Sequence, residues 1–219
     1  MKKLLLVLVL AIITTGGAFA QLSVGGGLLF DYSLGNGQDG TIMGSGDSFK
    51  VDRNNMSVGG FVFFDAQYVK VDISFAYGQI DNILSIGDQE TLYLGNLMQL
   101  GFDIIGKYPI PLGKVSLFPM LGLGYNLVLS SDMETLVNIN EIAFVEDDKP
   151  TEWSQFGLLA GIGADFWLTE SLFIRAEALA NIRLPPQRFI DAMDNPGYGS
   201  IGNTIGIGPR IKLGIGYKF

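Results

Sequence analysis

Between Leu172 and Arg183 the chain alternates with a period of two, and the two faces of the alternation have opposite chemistry. Leu172, Ile174, Ala176, Ala178, Ala180 and Ile182 fall on one face; Arg175, Glu177, Asn181 and Arg183 fall on the other. A strand sends successive side chains to opposite sides of its sheet, so this segment needs one apolar and one polar environment. The pattern recurs. Val69, Val71, Ile73, Phe75 and Tyr77 oppose Lys70, Asp72, Ser74, Ala76 and Gly78, and Ile205, Ile207, Ile211, Leu213, Ile215, Tyr217 and Phe219 oppose Arg210, Lys212 and Lys218. Eight segments carry it, near residues 21–32, 55–65, 67–79, 92–107, 114–129, 153–166, 171–184 and 204–219. Beyond the N-terminal segment no stretch has the roughly 18 uninterrupted apolar residues that a spanning helix needs.

The connections divide by length. Residues 33–54, 80–91, 130–152 and 185–203 read as long loops, whereas those near Ala66, at 108–113 and at 167–170 read as tight turns. Long loops on one side and short turns on the other are the asymmetry of an outer-membrane barrel. A soluble barrel would place the apolar face inside, but nothing in such a fold segregates its loops. The N-terminus points the same way. Lys2 and Lys3, an apolar core over residues 4–13, and Ala18-Phe19-Ala20 before Gln21 form a secretory leader with a small-x-small cleavage site. The expected domains are a cleaved leader over residues 1–20 and a barrel over 21–219.

The expected fold is therefore all-β, an eight-stranded antiparallel up-and-down transmembrane barrel in the bacterial outer membrane. Its strands must close, because a backbone in hydrocarbon has no water to bond its N–H and C=O groups. Eight strands enclose a lumen that side chains can fill. Lys70, Asp72, Gln99, Asp103, Asp165, Arg175, Glu177, Arg183, Arg210 and Lys212 fall on the inward face. Charges in so narrow a tube must pair, which favours a salt-bridged plug over an open path. The inward glycines 122, 124, 161, 163, 206, 208, 214 and 216 either leave room for water or a ligand or ease barrel curvature. Tyr32, Tyr68, Tyr77, Tyr93, Tyr108, Trp153, Trp167, Tyr217 and Phe219 lie near strand ends, where interfacial girdles form.

Composition excludes several functions. The formal net charge is −8, and loss of Lys2 and Lys3 with the leader makes the chain more acidic still, which argues against nucleic acid as a partner. The four long loops hold fifteen acids against four bases, densest at Glu146-Asp147-Asp148. These acids lack the spacing of a calcium loop, so no metal and no cofactor is expected. There is no cysteine to form a disulfide or carry a lipid. With no histidine, the serine–histidine chemistry of acyl hydrolases is absent, and no enzyme is expected. Within the third loop, residues 136–145 alternate and could rise as a hairpin above the membrane.

The leader, the eight alternating segments and the ending Ile211-Lys-Leu-Gly-Ile-Gly-Tyr-Lys-Phe219 resemble the small outer-membrane barrels of OmpA transmembrane-domain, OmpX and OmpW type. The resemblance implies that Leu213, Ile215, Tyr217 and Phe219 are the signal read by the barrel-assembly machinery during insertion. The expected partners are the lipids of the outer membrane, that machinery, and a surface partner or a small solute. Two functions fit: a structural or surface-interaction barrel acting through acidic loops, or a narrow channel or carrier for small molecules, hydrophobic ones included.

Overall fold

A computed structural model describes residues 22–41, 48–86, 89–135, 154–184 and 205–219. The leader, Ala18 to Gln21 with it, lies outside these residues, as do Glu146, Asp147, Asp148 and the 136–145 segment. Every element described is a strand: β1 (Leu22–Thr41), β2 (Ser48–Ala66), β3 (Val69–Ile86), β4 (Gln89–Lys107), β5 (Ile110–Leu112), β6 (Val115–Thr135), β7 (Gln155–Trp167), β8 (Leu172–Arg183) and β9 (Gly206–Lys218). All ladders are antiparallel, each strand beside its sequence neighbour except β4 and β5, which both pair with β6. β1 pairs with β9, Gly25 opposite Gly216, and closes the barrel.

Nine strands make eight staves. β4 pairs with β6 down to Lys107 opposite Met120, and β5 resumes the same register with Ile110 opposite Leu117. Tyr108 and Pro109 interrupt one stave, since proline has no N–H for a ladder. The fourth stave therefore runs on to Leu112, where a turn had been expected over 108–113, and the turn itself is Gly113 and Lys114. Gly113 takes φ +67 there, a backbone region that glycine enters without steric cost.

The apolar face points outward. Ile162 is 68% exposed and Leu121 69%, whereas Lys70, Asp72 and Lys212 are at 0%. An exterior of exposed leucine, isoleucine, valine and phenylalanine around a charged interior is the surface of a barrel that sits in lipid. Leu213, Ile215, Tyr217 and Phe219 all lie on this exposed face.

Two stretches expected as loops are mostly strand. β1 and β2 stay paired to Thr41 opposite Ser48, and β3 and β4 to Ile86 opposite Gln89. The glycine- and asparagine-rich run from Gly35 to Gly40 breaks register once, between Gly35 and Gln38, and then pairs again. Ladder hydrogen bonds need only backbone groups, so the hairpins continue where no lipid imposes an apolar face. β6 likewise runs to Thr135.

Candidate functional site: the lumen

Alternation carries twelve charged side chains into the lumen, six acids and six bases, joined in one chain of ion pairs. It begins near the turn end, where Arg175 grips Asp165, its register partner across β7 and β8, through Nε at 2.6 Å and Nη2 at 2.7 Å. Arg175 also reaches Asp65 on β2 at 2.6 Å, and Asp65 pairs with Lys107 on β4 at 2.6 Å. This group of four is neutral. A longer contact of 3.9 Å links Arg175 to Glu177 and so to a second group.

The second group climbs toward the loop end. Glu177 accepts from Lys70 at 2.6 Å, and Lys70 lies 2.9 Å from Asp72. Lys212 Nζ bridges Asp72 at 2.6 Å and Asp103 at 2.8 Å. Arg210 Nη1 contacts Asp103 at 3.0 Å, and its Nη2 reaches Asp31 at 2.7 Å. Arg183 ends the chain on Asp31 at 2.8 Å. With four acids and four bases, this group is neutral as well. Burying an ion is tolerable when counter-charges and hydrogen bonds replace its water, and each cation here has at least one carboxylate.

Aromatic and aliphatic side chains fill the space around the ions. Leu29, Phe61, Phe63, Ala76 and Phe173 form one buried cluster, and Ile105, Phe118, Met120, Leu159 and Leu179 a second. The Arg175 guanidinium lies 4.5 Å from the Phe63 ring centre, 5.2 Å from Phe118 and 5.0 Å from Phe173, within cation–π range of all three. Trp167 packs on Phe173 at 4.9 Å and donates its indole N–H to Ser116 Oγ at the turn end of the lumen. It serves the lumen, where an interfacial girdle had been expected. Tyr68, Tyr77, Tyr108, Tyr217 and Phe219 are exposed outward. Trp153 and the side chain of Tyr93 lie outside the described residues.

The inward glycines are not openings. A Cβ at Gly163 would strike the Phe118 ring, and one at Gly216 would strike Phe173 and Phe63. At glycines 122, 124, 161, 206, 208 and 214 backbone or side-chain atoms also lie within contact distance of the missing Cβ. The room that glycine leaves is taken by rings and by close-set strands. Above the charges the lumen turns polar and uncharged, with Ser33, Asn55, Ser57, Gln99 and Asn126 buried, and then apolar at Ile80, Leu97 and Val128.

Lys70, Asp72, Asp103, Arg175, Glu177, Arg183, Arg210 and Lys212 thus come together in one network, with Asp165 among them. Gln99 is buried in the polar layer, and its Nε2 has no partner among the described residues. Asp31, Asp65 and Lys107 belong to the network too, but the alternation did not single them out. A signal existed for two of them at the strand ends: Lys107 shares the parity of Gln99 and Asp103, and Asp65 that of Asn55 and Ser57. For Asp31 a signal existed: it shares the parity of Leu29 and Ser33 and stands in register with Arg210.

No protein-family model matches the chain, and no curated protein matches it by sequence. Among solved structures it is similar to the outer membrane protein OprG from Pseudomonas aeruginosa, with a TM-score of 0.52 and 15% identity over 93% of this chain and 98% of that one. The N-terminal β-barrel domain of Pseudomonas aeruginosa OprF aligns less well, at a TM-score of 0.29 and 17% identity over 90% of this chain and 97% of that one. The likeness to OprG is one of fold.

Proposed function

We propose that this chain is an integral outer-membrane barrel whose lumen is a structural plug, and that its role is mechanical support of the membrane or contact at the cell surface through the loop end. The observation that carries this is the ion-pair chain from Asp165 to Arg183, which crosses the lumen from the turn end up to the polar layer. A solute crossing would have to break several buried pairs at once, each costing about 3–5 kcal/mol when one partner is left alone. The role is non-catalytic in this proposal, because the lumen carboxylates are committed to cations and no histidine is available as a base.

Planar-bilayer recording tests it. Purified barrel is expected to give no reproducible single-channel currents at neutral pH. Regular currents, abolished by a disulfide engineered across the lumen, would move the chain to the channel or carrier reading. Shortening residues 136–153 is expected to remove any surface-binding phenotype while leaving the folded barrel intact.

A further inference from the structure

Eight cations have described side chains, and six of them sit in the lumen on carboxylates. Lys114 and Lys218 have no carboxylate partner among the described residues. Both line the same shallow groove at the turn end, about 330 Å³ in volume, together with Gly113, Trp167, Thr169 and Glu170. Three features fit the groove to a phosphate. The Lys218 ammonium rests 5.7 Å from the Trp167 ring centre, within cation–π range, so the indole face positions the charge at the groove. Thr169 Oγ1 accepts from the N–H groups of Ser171 and Leu172, which leaves its own O–H to donate. Two ammonium groups against the one carboxylate of Glu170 make the groove net positive.

Its position selects the source of the phosphate. Tyr217 and Tyr108 are exposed on the outer surface at this same end, where aromatic residues mark the level of lipid headgroups. We propose that the Lys114–Lys218 groove seats the phosphodiester of an anionic phospholipid in the leaflet at the turn end. The site has this occupant only if the barrel spans the membrane with its turn end toward phospholipid, as proposed above.

Trp167 is the reporter, once Trp153→Phe removes the second of the two tryptophans. The folded full chain in neutral detergent is titrated with short-chain phosphatidylglycerol, phosphatidylcholine of the same acyl length, and inorganic phosphate, and Trp167 emission is followed. Phosphatidylglycerol is expected to bind about ten- to thirtyfold more tightly than phosphatidylcholine, the effect of two lysines near a membrane surface. The preference should vanish in Lys114→Gln/Lys218→Gln and survive in Lys114→Arg/Lys218→Arg. Equal binding of the two lipids, or a preference that persists in the glutamine variant, would overturn the site. Saturation by inorganic phosphate at the same concentrations would assign the groove to a free anion and overturn the headgroup. A wild-type chain whose gel band does not shift on boiling would instead remove the membrane barrel, and the site with it.

Discussion

Lys70 on β3 and Glu177 on β8 stand four staves apart in either direction around the barrel, and their side chains meet across the lumen at 2.6 Å. The pair ties opposite walls together, so its energetics report on the whole cross-section. Lys70→Met and Glu177→Gln are each expected to cost about 3 kcal/mol or somewhat more, because each leaves a buried partner short of a counter-charge. The double variant should cost clearly less than the sum of the two. Urea unfolding in lipid vesicles, followed by tryptophan emission, measures this. Additive costs would show that the two side chains do not meet.

Gly163 and Phe118 make a second coupled pair. Gly163→Ala places a methyl group against the Phe118 ring and is expected to destabilise the barrel by about 1–3 kcal/mol. Phe118→Leu alone should also destabilise, by loss of ring packing. Combined, the two should recover part of the cost, since the smaller side chain admits the methyl. A double variant no better than the sum would place the ring elsewhere.

The absence of cysteine makes the faces directly readable. In vesicles, Leu213→Cys and Ala160→Cys are expected to react with a membrane-permeant maleimide and resist a charged one. Ser57→Cys, buried in the lumen, should resist both. Rapid labelling of Ser57→Cys by the charged reagent would reveal a lumen open to water.

Phe219 closes the barrel as well as ending it. Its N–H donates to the Leu22 carbonyl at 2.9 Å, and its ring packs edge-on against Tyr217 with centroids 5.3 Å apart. Deleting Phe219 is expected to lower the fraction of protein that reaches the heat-modifiable, inserted form severalfold in cells. Normal assembly without it would show that Phe219 is not read as an insertion signal.

The strands and their faces were legible because lipid and lumen impose opposite demands on alternate residues, as on β3 and β8. Two features were not. The paired hairpin that extends β1 to Thr41 has no apolar face to announce it, and in the one that extends β3 to Ile86, Asp81-Asn82 interrupts the alternation, while backbone bonding maintains both ladders. The inward rings were hidden for another reason. Phe61-Val62-Phe63-Phe64 is apolar at every position, so only the parity they share with Asn55, Ser57 and Asp65 shows that Phe61 and Phe63 face the lumen while Val62 and Phe64 face lipid. What admits the Phe63 ring there is space, left by Gly25 on β1 and Gly216 on β9. That complementarity crosses the sheet and is invisible along the chain.

β9, the last described strand in chain order, supplies Arg210 and Lys212, and Asp103, on the fourth stave, has no other cation among the described residues. A chain that lacks β9, or has not yet docked it, must keep the Asp103 carboxylate wet or protonated and cannot close a dry lumen. Closure is thereby written into the interior as neutrality: a barrel without β9 differs from a closed one by an uncompensated acid.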